Sequence, residues 1–565
     1  MALPVERDIL RVAGALVLEG VLTGDQINEV LARRDVTRER FVQALIGLDV
    51  VDGQALTAIL SRVFGLGVCD LRTQTPEHDA LALLPEATAR ENLVIPISVV
   101  DDILSLAVAE PGEELESILS EASHHPVKLL VAPLGDILQI IDAAYGALEG
   151  VSGLIEAFES VELGRLQVGA RDRTEQISGD APVIQVVNRI LTQAVRSRAS
   201  DVHIEPQEYE GRIRYRIDGV MKEVLTLTPT MTFGIISRVK IMADMNIVER
   251  RRPQDGQFTV TLDGKRVDVR VSTVATIWGE TCVMRILDKS KPILHLGGLG
   301  MEREVREAYL EIIHSPFGMV VCAGPTGSGK TTTLYATLNE LNDTERNIMT
   351  IEDPVEYVFP SMNQLQVNER TGFTFETGLR TILRQDPDII LVGEMRDAET
   401  ARIAVQSAMT GHFVLSSVHA TDTISALLRF RDMGVETFLT AASLLAVVSQ
   451  RLVRRICPSC KSEYVPSDKE RRFYEAANGP VKDVFYHGTG CNFCSQTGYQ
   501  DRTGVFEVLP ITPTVRELIV TGASGGEIQS VATREGMKTQ THQAIELVVR
   551  DVTTITEVIR SIYAL

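Results

Sequence analysis

The sequence predicts an α/β fold with an open parallel sheet, and three observations support this prediction. The apolar run "MVVCA" ends in the glycine-rich stretch "GPTGSGKTTT", after which Leu334, Leu338 and Leu341 follow at helical spacing. Three later apolar runs, "NIMTIED", "DIILVGE" and "HFVLSSVH", each finish on charged or imidazole side chains. Upstream, "GRIRYRIDG" and "KRVDVRVS" alternate apolar and polar residues, as half-buried strands do.

The chain is long for a single core, since 565 residues correspond to about three or four domains. We expect residues 1–150 to combine paired helical units with an α+β segment, and residues 151–181 to form a polar linker. An α+β domain is predicted at 182–290. The open-sheet domain is predicted at 297–565, with an insert at 457–494.

Composition and charge limit the class of protein. The chain is 44% hydrophobic and 23% charged, which is typical of globular proteins. No apolar run approaches the roughly 20 residues of a membrane helix, and the start "MALPVERDIL" lacks the features of a signal peptide. Residues 1–170 contain 27 Asp and Glu against 11 Lys and Arg, within a net charge of −20. We therefore expect a soluble cytoplasmic protein whose acidic N-terminal region disfavours nucleic acid.

The stretch "GPTGSGKTTT" fits the phosphate-binding pattern G-x-x-x-x-G-K-[ST]. Its glycines let successive backbone N–H groups point inward, Lys330 reaches the outer phosphates, and the Thr331 hydroxyl ligates Mg²⁺. The alternative is a glycine-rich turn that binds nothing, but the strand and helix on either side argue against it. The predicted ATP-binding residues are Gly324, Pro325, Thr326, Gly327, Ser328, Gly329, Lys330, Thr331 and Thr332.

The polar ends of the three later strands should converge on the nucleotide, because ligands of open parallel sheets bind beyond the carboxyl ends of the strands. "ILVGE" places Glu394 where a magnesium-side aspartate is usual, so Glu394 is predicted to take the magnesium or the water role. Glu356 of "EDPVE" is our prediction for orienting the water, the alternative being a solvated loop carboxylate. His419 is predicted to sense or to hydrogen-bond the γ-phosphate, the alternative being a structural partner.

Five arginines lie close together in the α+β domain and could supply the positive charge that the transition state needs. They are Arg250, Arg251, Arg252, Arg266 and Arg270. We expect this cluster to reach a phosphate bound by a neighbouring domain or subunit, as an arginine finger does. The alternative is that the arginines pair with the nearby carboxylates of Asp255, Asp263 and Asp268.

Two C-x-x-C pairs, "CPSC" and "CNFC", predict a structural zinc site. Four thiolates satisfy tetrahedral Zn²⁺ and leave no open position for catalysis. The thirty residues between the pairs imply an intervening helix or hairpin, and redox activity is the alternative. The predicted zinc ligands are Cys457, Cys460, Cys491 and Cys494.

Together these motifs resemble those of the secretion and pilus assembly ATPases, the motors of type II secretion and of type IV pilus extension. The resemblance spans residues 180–565 and rests on "GPTGSGKTTT", "TIEDPVEY", "RQDPDIILVGEMRDAETA", "TGHFVLSSVHATD" and the cysteine pairs. It implies a hexameric ring of RecA-like P-loop domains, each preceded by a PAS-like domain. It also implies that arginines of the smaller domain act on ATP across the ring, with Arg251 and Arg266 as the matching residues and Arg429 as a further one.

The segment "RVAGALVLEGVLTGDQINEVLARR" resembles helical units that precede some of these motors and either bind cyclic di-GMP or dock on a membrane platform. Ala13 stands where the pattern has a glycine, and Arg34 stands where it ends in a glutamine. Because of these departures, we expect the docking of partners rather than the binding of cyclic di-GMP.

The predicted function is a Mg²⁺-dependent ATPase that assembles a type IV pilus or a type II secretion pseudopilus from the cytoplasmic face of the inner membrane. Its expected partners are an inner-membrane platform protein and a cytoplasmic-domain adaptor, through which it meets the membrane. Two rivals are a hexameric nucleic-acid translocase and a non-catalytic nucleotide-gated scaffold. The acidic N-terminal region and the single Trp argue against the translocase.

Overall fold

A computed structural model describes residues 4–37, 40–48, 50–112, 114–145, 151, 153–155, 157–160, 182–288 and 295–563. Most of the predicted linker at 151–181 lies outside these residues. Within the part of the chain that the structure describes, no helix is both long enough and apolar enough to cross a membrane.

Helices occupy much of the N-terminal region and flank every sheet. Their bounds are α1 (Pro4–Leu18), α2 (Gly24–Thr37), α3 (Phe41–Gly47), α4 (Gly53–Phe64), α5 (His78–Ala82), α6 (Glu86–Asn92), α7 (Leu115–Ser123), α8 (Leu134–Ala144), α9 (Pro182–Arg196), α10 (Pro229–Met242), α11 (Arg303–Ile313), α12 (Lys330–Leu341), α13 (Phe375–Ile382), α14 (Ala398–Met409), α15 (Thr423–Asp432), α16 (Thr437–Ser443), α17 (Asp468–Ala476), α18 (Pro513–Thr521), α19 (Gly525–Arg534), α20 (Gln540–Val549) and α21 (Ile555–Val558).

The strands form four sheets, of which the largest has seven strands. Their bounds are β1 (Gly67–Val68), β2 (Val94–Val100), β3 (Ile103–Val108), β4 (Val127–Val131), β5 (Asp201–Pro206), β6 (Gly211–Ile217), β7 (Val220–Leu227), β8 (Gln254–Leu262), β9 (Lys265–Thr276), β10 (Gly279–Asp288), β11 (Gly318–Ala323), β12 (Ile348–Glu352), β13 (Asn363–Gln366), β14 (Ile389–Val392), β15 (Phe413–Val418), β16 (Leu444–Ile456), β17 (Lys461–Tyr464), β18 (Phe485–Gly488) and β19 (Tyr499–Pro510).

The chain divides into two compact units, and the first contains Met1–Ile286 together with Thr489–Gly498. Helices α1–α4 precede a four-stranded sheet of order β1-β4-β3-β2. A six-stranded sheet of order β7-β6-β5-β10-β9-β8 follows. Val187, Ile190 and Leu191 lie at helical spacing on α9 and are buried in the core of this second sheet. The predicted alternating strands "GRIRYRIDG" and "KRVDVRVS" are β6 and β9.

The second unit, Leu287–Gly488 and Tyr499–Leu565, contains the seven-stranded sheet of order β13-β12-β14-β15-β11-β16-β19. Every residue of β11, β12, β14 and β15 is buried, because helices cover both faces of a parallel sheet. Successive residues of β11 alternate between two cores: Val321 packs on one face, and Val320 and Cys322 on the other. The glycine-rich loop leaves β11 between its parallel neighbours β15 and β16.

Candidate nucleotide site

The glycine-rich loop joins β11 to α12, as the sequence predicts, and its backbone requires glycine. Gly324, Gly327 and Gly329 have positive φ angles of 154°, 76° and 92°, a region that other residues rarely adopt. A Cβ on Gly324 would clash with the Ser328 hydroxyl, and one on Gly329 would lie 2.7 Å from Gln450 Nε2. The loop is therefore already shaped, with its backbone closely packed against β16.

Lys330 and Ser328 are oriented in a way that fits a polyphosphate. Lys330 Nζ donates hydrogen bonds to the backbone oxygens of Gly324 at 2.8 Å and Pro325 at 3.1 Å. Burial lowers the pKa of Lys330, and among the described residues the buried Ser328 hydroxyl has no hydrogen-bond partner. Thr331 is exposed in the first turn of α12, where its hydroxyl fits the predicted magnesium role. An ammonium that donates to two backbone carbonyls of the loop suits the oxygens of a nucleoside triphosphate.

Glu394 and His419 lie together at the carboxyl ends of β14 and β15. Glu394 Oε1 is 2.8 Å from His419 Nε2, and the other oxygen of Glu394 accepts a hydrogen bond from Arg396 at 3.0 Å. Ser417 Oγ fixes the turn by donating to the Gly393 oxygen at 2.8 Å. The negative charge of Glu394 acts on Lys330, where it opposes the effect of burial on the lysine pKa. The structure therefore brings the ends of β14 and β15 together, and their convergence with β12 on a nucleotide stays a prediction.

The acidic segment "EDPVE" contains carboxylates with different surroundings. Glu352 is buried and accepts hydrogen bonds from the Tyr335 hydroxyl, from Thr350 Oγ1 at 2.7 Å and from Gln364 Nε2 at 3.3 Å. Burial raises the pKa of Glu352. Glu356 is half-buried, and its backbone N–H donates to Tyr335 Oη at 3.1 Å. Three donors engage Glu352 in a structural role, so Glu356 stays our prediction for orienting water.

The predicted arginines lie on exposed surfaces of their own elements. Arg251 is exposed in the segment between α10 and β8, and Arg266 is exposed on β9 opposite Thr261. Arg429 is exposed in the last turn of α15. Asp263, one of the carboxylates that could have neutralised the cluster, accepts hydrogen bonds from Arg196 at 2.8 and 3.2 Å.

The segment 246–254, which we call the arginine loop, is braced by the buried Lys240 and the half-buried Gln254. Lys240 is only 1% exposed, and its Nζ donates to the Glu249 backbone oxygen at 2.6 Å and to Glu280 Oε1 at 2.7 Å. Gln254 Nε2 donates to the same Glu249 oxygen at 2.8 Å. The Glu249 side chain in turn accepts hydrogen bonds from the backbone N–H of Arg251 at 2.8 Å. The backbone of the loop is therefore held in place while the side chain of Arg251 extends into solvent.

The four predicted zinc ligands are close together. The Sγ atoms of Cys457, Cys460, Cys491 and Cys494 all lie within 4.8 Å of one another. Sulfurs around tetrahedral zinc lie about 3.8 Å apart, given Zn–S bonds of about 2.3 Å. The backbone N–H groups of Cys491 and Gly498 each donate to Cys494 Sγ at 3.2 Å, which favours a thiolate. The residues therefore fit a structural zinc ion.

The structure adds residues near the loop that the sequence interpretation did not include. Gln450 Oε1 accepts a hydrogen bond from Thr333 Oγ1 at 2.6 Å, which anchors the first turn of α12 to β16. Arg451, the next residue, is buried. The signal was present in "LLAVVSQRLV", where Ser449, Gln450 and Arg451 interrupt an apolar run that lies beside the P-loop strand.

Comparisons with known proteins identify the family of the chain. A family model described as type II/IV secretion system protein matches residues 176–560, and one described as MshEN domain matches residues 64–151. The type IV pilus assembly ATPase PilB of Myxococcus xanthus is 37% identical over 558 residues, 97% of this chain and 98% of that protein. Type II secretion system protein E of Xanthomonas campestris is 36% identical over 569 residues, 97% of this chain and 99% of that protein. The solved ATPase DotB of Legionella pneumophila aligns with a TM-score of 0.49 at 20% identity, over 68% of this chain and 96% of its own.

Proposed function

Because this chain belongs to the type II/IV secretion system protein family, we propose that it is the ATPase motor of a type II secretion system or a type IV pilus. Relatives named for both machines match nearly its whole length. The observation that carries the proposal is the Glu394–His419 pair at 2.8 Å. This pair lies at the strand ends beside a glycine loop whose lysine and serine suit a triphosphate.

In the proposed reaction, the loop and Lys330 hold the phosphates of ATP, and Thr331 holds Mg²⁺, which neutralises phosphate charge. Phosphoryl transfer to water needs in-line positioning more than covalent chemistry. Glu394 takes the magnesium or the water role, and Glu356 orients the attacking water. His419, whose Nε2 lies 2.8 Å from Glu394 Oε1, responds to the presence of the γ-phosphate.

The remaining transition-state charge is met by arginines from another copy of the chain. Arg251 and Arg266, with Arg429 as a third candidate, are exposed cations that suit a phosphate supplied from outside their own elements. A homo-hexameric ring provides such an arrangement, with the six-stranded sheet domain, which we interpret as PAS-like, serving the site of a neighbour. ATP binding then closes the domains and hydrolysis reopens them.

The other parts of the chain are assigned to structure and docking. The four cysteines hold a structural Zn²⁺, and the N-terminal region docks on an inner-membrane platform protein and a cytoplasmic-domain adaptor. The motor therefore works in the cytoplasm at the inner membrane through these partners. Cyclic di-GMP is a less favoured ligand of the N-terminal region, because Ala13 and Arg34 depart from the motif.

Phosphate release and oligomer mass test the proposal. The full chain is assayed with ATP and Mg²⁺ beside Lys330→Ala, and beside Lys469→Ala as an exposed control on α17. We expect Lys330→Ala to lower kcat by about 100- to 1000-fold, because a preorganised phosphate donor is lost, while Lys469→Ala is unchanged. Light scattering should give six copies with ATP. A wild-type chain that neither binds nor cleaves ATP in any assembly state would falsify the proposal.

A further inference from the structure

Arg451 lies on β16 immediately beyond the part of the strand that pairs with the P-loop strand. Ala323, the last residue of β11, is in register with Ser449. Gln450 then packs against Gly329 and bonds to Thr333, as described above. Because side chains alternate along a strand, Arg451 shares the opposite face with Ser449. This position is at the carboxyl edge of the sheet, where the strand ends carry the candidate site.

The guanidinium of Arg451 is buried with little hydrogen bonding. The residue is 7% exposed. Its Nη2 donates to the Thr421 backbone oxygen at 3.3 Å, and its Nε is buried without a hydrogen-bond partner in the part of the chain that the structure describes. Within the described ranges, no carboxylate forms an ion pair with Arg451 at 4.0 Å or less. A buried cation with these contacts is costly, since desolvation is not repaid by a partner.

The charge of the Asp422 carboxylate acts on Arg451, but this carboxylate is already engaged. Asp422 accepts hydrogen bonds from Ser425 N at 2.7 Å, from Ser425 Oγ at 2.8 Å and from Thr421 Oγ1 at 2.8 Å. These bonds cap the N-terminus of α15. Burial lowers the pKa of Arg451, and the charge of Asp422 raises it only in part. The role of the Asp422 carboxylate is therefore to cap α15, and it only partly offsets the burial of the Arg451 charge.

Two observations relate Arg451 to the phosphate site. Its contact, Thr421, lies two residues after His419 on the loop that follows β15. Its positive charge also acts on Lys330, where it adds to the effect of burial on the lysine pKa. Arg451 thus lowers the pKa of Lys330 and contacts the loop that follows β15. A cation in this place suits an anion that binds between Lys330 and that loop.

We propose that Arg451 is a further phosphate-binding residue of this site, which donates its unpartnered Nε–H to the terminal phosphate of ATP bound to the same chain. The inference rests on the proposed function, because it requires ATP at the P-loop. It differs from the arginine loop in that the cation comes from the strand beside the P-loop. Because the γ-phosphate is absent from ADP, Arg451 should favour ATP over ADP.

The alternative is that Arg451 only supports the loop His419–Asp422. The two roles differ in what they do to the free protein. A support contributes to folding, so its removal lowers the stability of the nucleotide-free chain. A buried cation without a partner destabilises the nucleotide-free fold. If Arg451 binds phosphate, its neutralisation therefore leaves the stability of the nucleotide-free chain unchanged or raises it.

The test compares Arg451→Gln with Arg455→Gln, an exposed arginine on the same strand, in the full-length chain. Glutamine keeps an N–H donor for Thr421 and removes the charge. We measure the dissociation constants of ATP and ADP with Mg²⁺, and the thermal midpoint without nucleotide. Arg451→Gln should raise the dissociation constant of ATP by about 10- to 100-fold, as expected for the loss of a charge-assisted hydrogen bond. ADP affinity should change less than about threefold, since its terminal phosphate lies elsewhere.

Each other outcome overturns the inference. Equal losses of ATP and ADP affinity, or a fall in the thermal midpoint with no change in nucleotide preference, would assign Arg451 to structure. Arg451→Lys, which keeps the charge, distinguishes lost charge from lost packing and should retain most of the ATP preference. If wild type itself binds no ATP, the proposed function fails; if wild type binds ATP and Arg451→Gln matches it, only this inference fails.

Discussion

The carboxyl edge of the seven-stranded sheet and the arginine loop both contain charged side chains. The two regions differ in whether Glu394 and Arg251 have partners of opposite charge. At the sheet edge, Glu394 is paired with His419 and Arg396 at 2.8 and 3.0 Å. In the arginine loop, Lys240 Nζ donates a hydrogen bond to the Glu249 backbone oxygen, whereas the side chain of Arg251 is exposed. As far as the structure describes the chain, no ion pair includes Arg251.

The difference indicates that the two regions have different partners. At the sheet edge, the Glu394 carboxylate has its cationic partners within the chain before any ligand arrives. A braced loop that presents an unpaired guanidinium is prepared for an anion that its own elements do not supply. We therefore propose that the sheet edge supplies the metal and water roles of the reaction centre, and that the arginine loop acts on another copy. The predictions below test this division.

The largest expected effect is that of Arg251→Ala, which removes the cation from the arginine loop. An arginine finger contributes about 10³-fold or more to kcat, so turnover should fall by about 10³-fold while the ATP dissociation constant is unchanged. Phosphate release and ATP titration measure the two quantities. Arg250→Ala is the matched control, because the Arg250 guanidinium lies 4.3 Å from the centre of the Phe233 ring and is already engaged. Equal losses in both variants would contradict the assignment.

At the sheet edge, Glu394→Gln should lower kcat by about 100-fold, because a carboxylate that handles water or metal is replaced by a neutral amide. ATP binding should persist, since the loop and Lys330 are intact. Single-turnover phosphate release and equilibrium ATP binding separate the two steps. The exposed Glu475→Gln on α17 is the control. Loss of ATP binding in Glu394→Gln would mean that Glu394 maintains the shape of the site and does not act in the chemical step.

The brace of the arginine loop predicts an intermediate effect. Lys240→Met leaves Glu280 buried and unpaired, so unfolding free energy should fall by about 3–5 kcal/mol. Lys240→Met with Glu280→Gln should recover most of that stability, yet the Glu249 oxygen loses the Lys240 donor and keeps only that of Gln254. The double variant should therefore keep a roughly tenfold lower kcat, because the finger is less well positioned. Unfolding can be followed with Trp278, the one tryptophan of the chain. Full recovery of kcat would mean that the brace serves stability alone.

The smallest catalytic effect should come from the cysteines, which belong to neither half of the reaction centre. Cys457→Ser, or removal of zinc by a chelator, should lower the thermal midpoint and leave kcat per folded chain within about twofold, because a closed four-thiolate site has no open position for chemistry. Metal content by mass spectrometry should show one zinc per chain. The buried Cys322→Ser, which lies outside the four, is the control for loss of a thiol. A chain that contains no zinc and keeps its stability would contradict the assignment.

The sequence predicted the parts of the site that depend on local pattern and on a general rule of sheets. The β11–loop–α12 order follows from one apolar run, three glycines and leucines at helical spacing. The proximity of Glu394 and His419 follows from the rule that parallel strands end at one edge. Neither prediction needed a long-range contact between particular side chains.

Other features depend on contacts between distant residues and could not be predicted in this way. Glu352 is a strand-end carboxylate like Glu394, but Tyr335 on α12 removes it from solvent. Lys240 in "SRVKIM" has the pattern of a surface lysine, and its burial depends on Glu280, forty residues away. Arg451 is a charged residue within an apolar strand, a pattern that usually predicts an exposed side chain, but here the side chain is buried. In each case the packing of another element decides the exposure of the side chain.

The central claim is that the arginine and the carboxylate of one reaction centre come from different copies of the chain, and mixing two inactive variants tests it most directly. Arg251→Ala and Glu394→Gln chains are combined, allowed to exchange subunits in the presence of ATP and Mg²⁺, and assayed for phosphate release. We predict that activity reappears in the mixture and increases with the fraction of mixed assemblies, because an intact Glu394 then meets an intact Arg251 of a neighbour. A mixture that forms mixed assemblies yet stays as inactive as its two components would contradict the account.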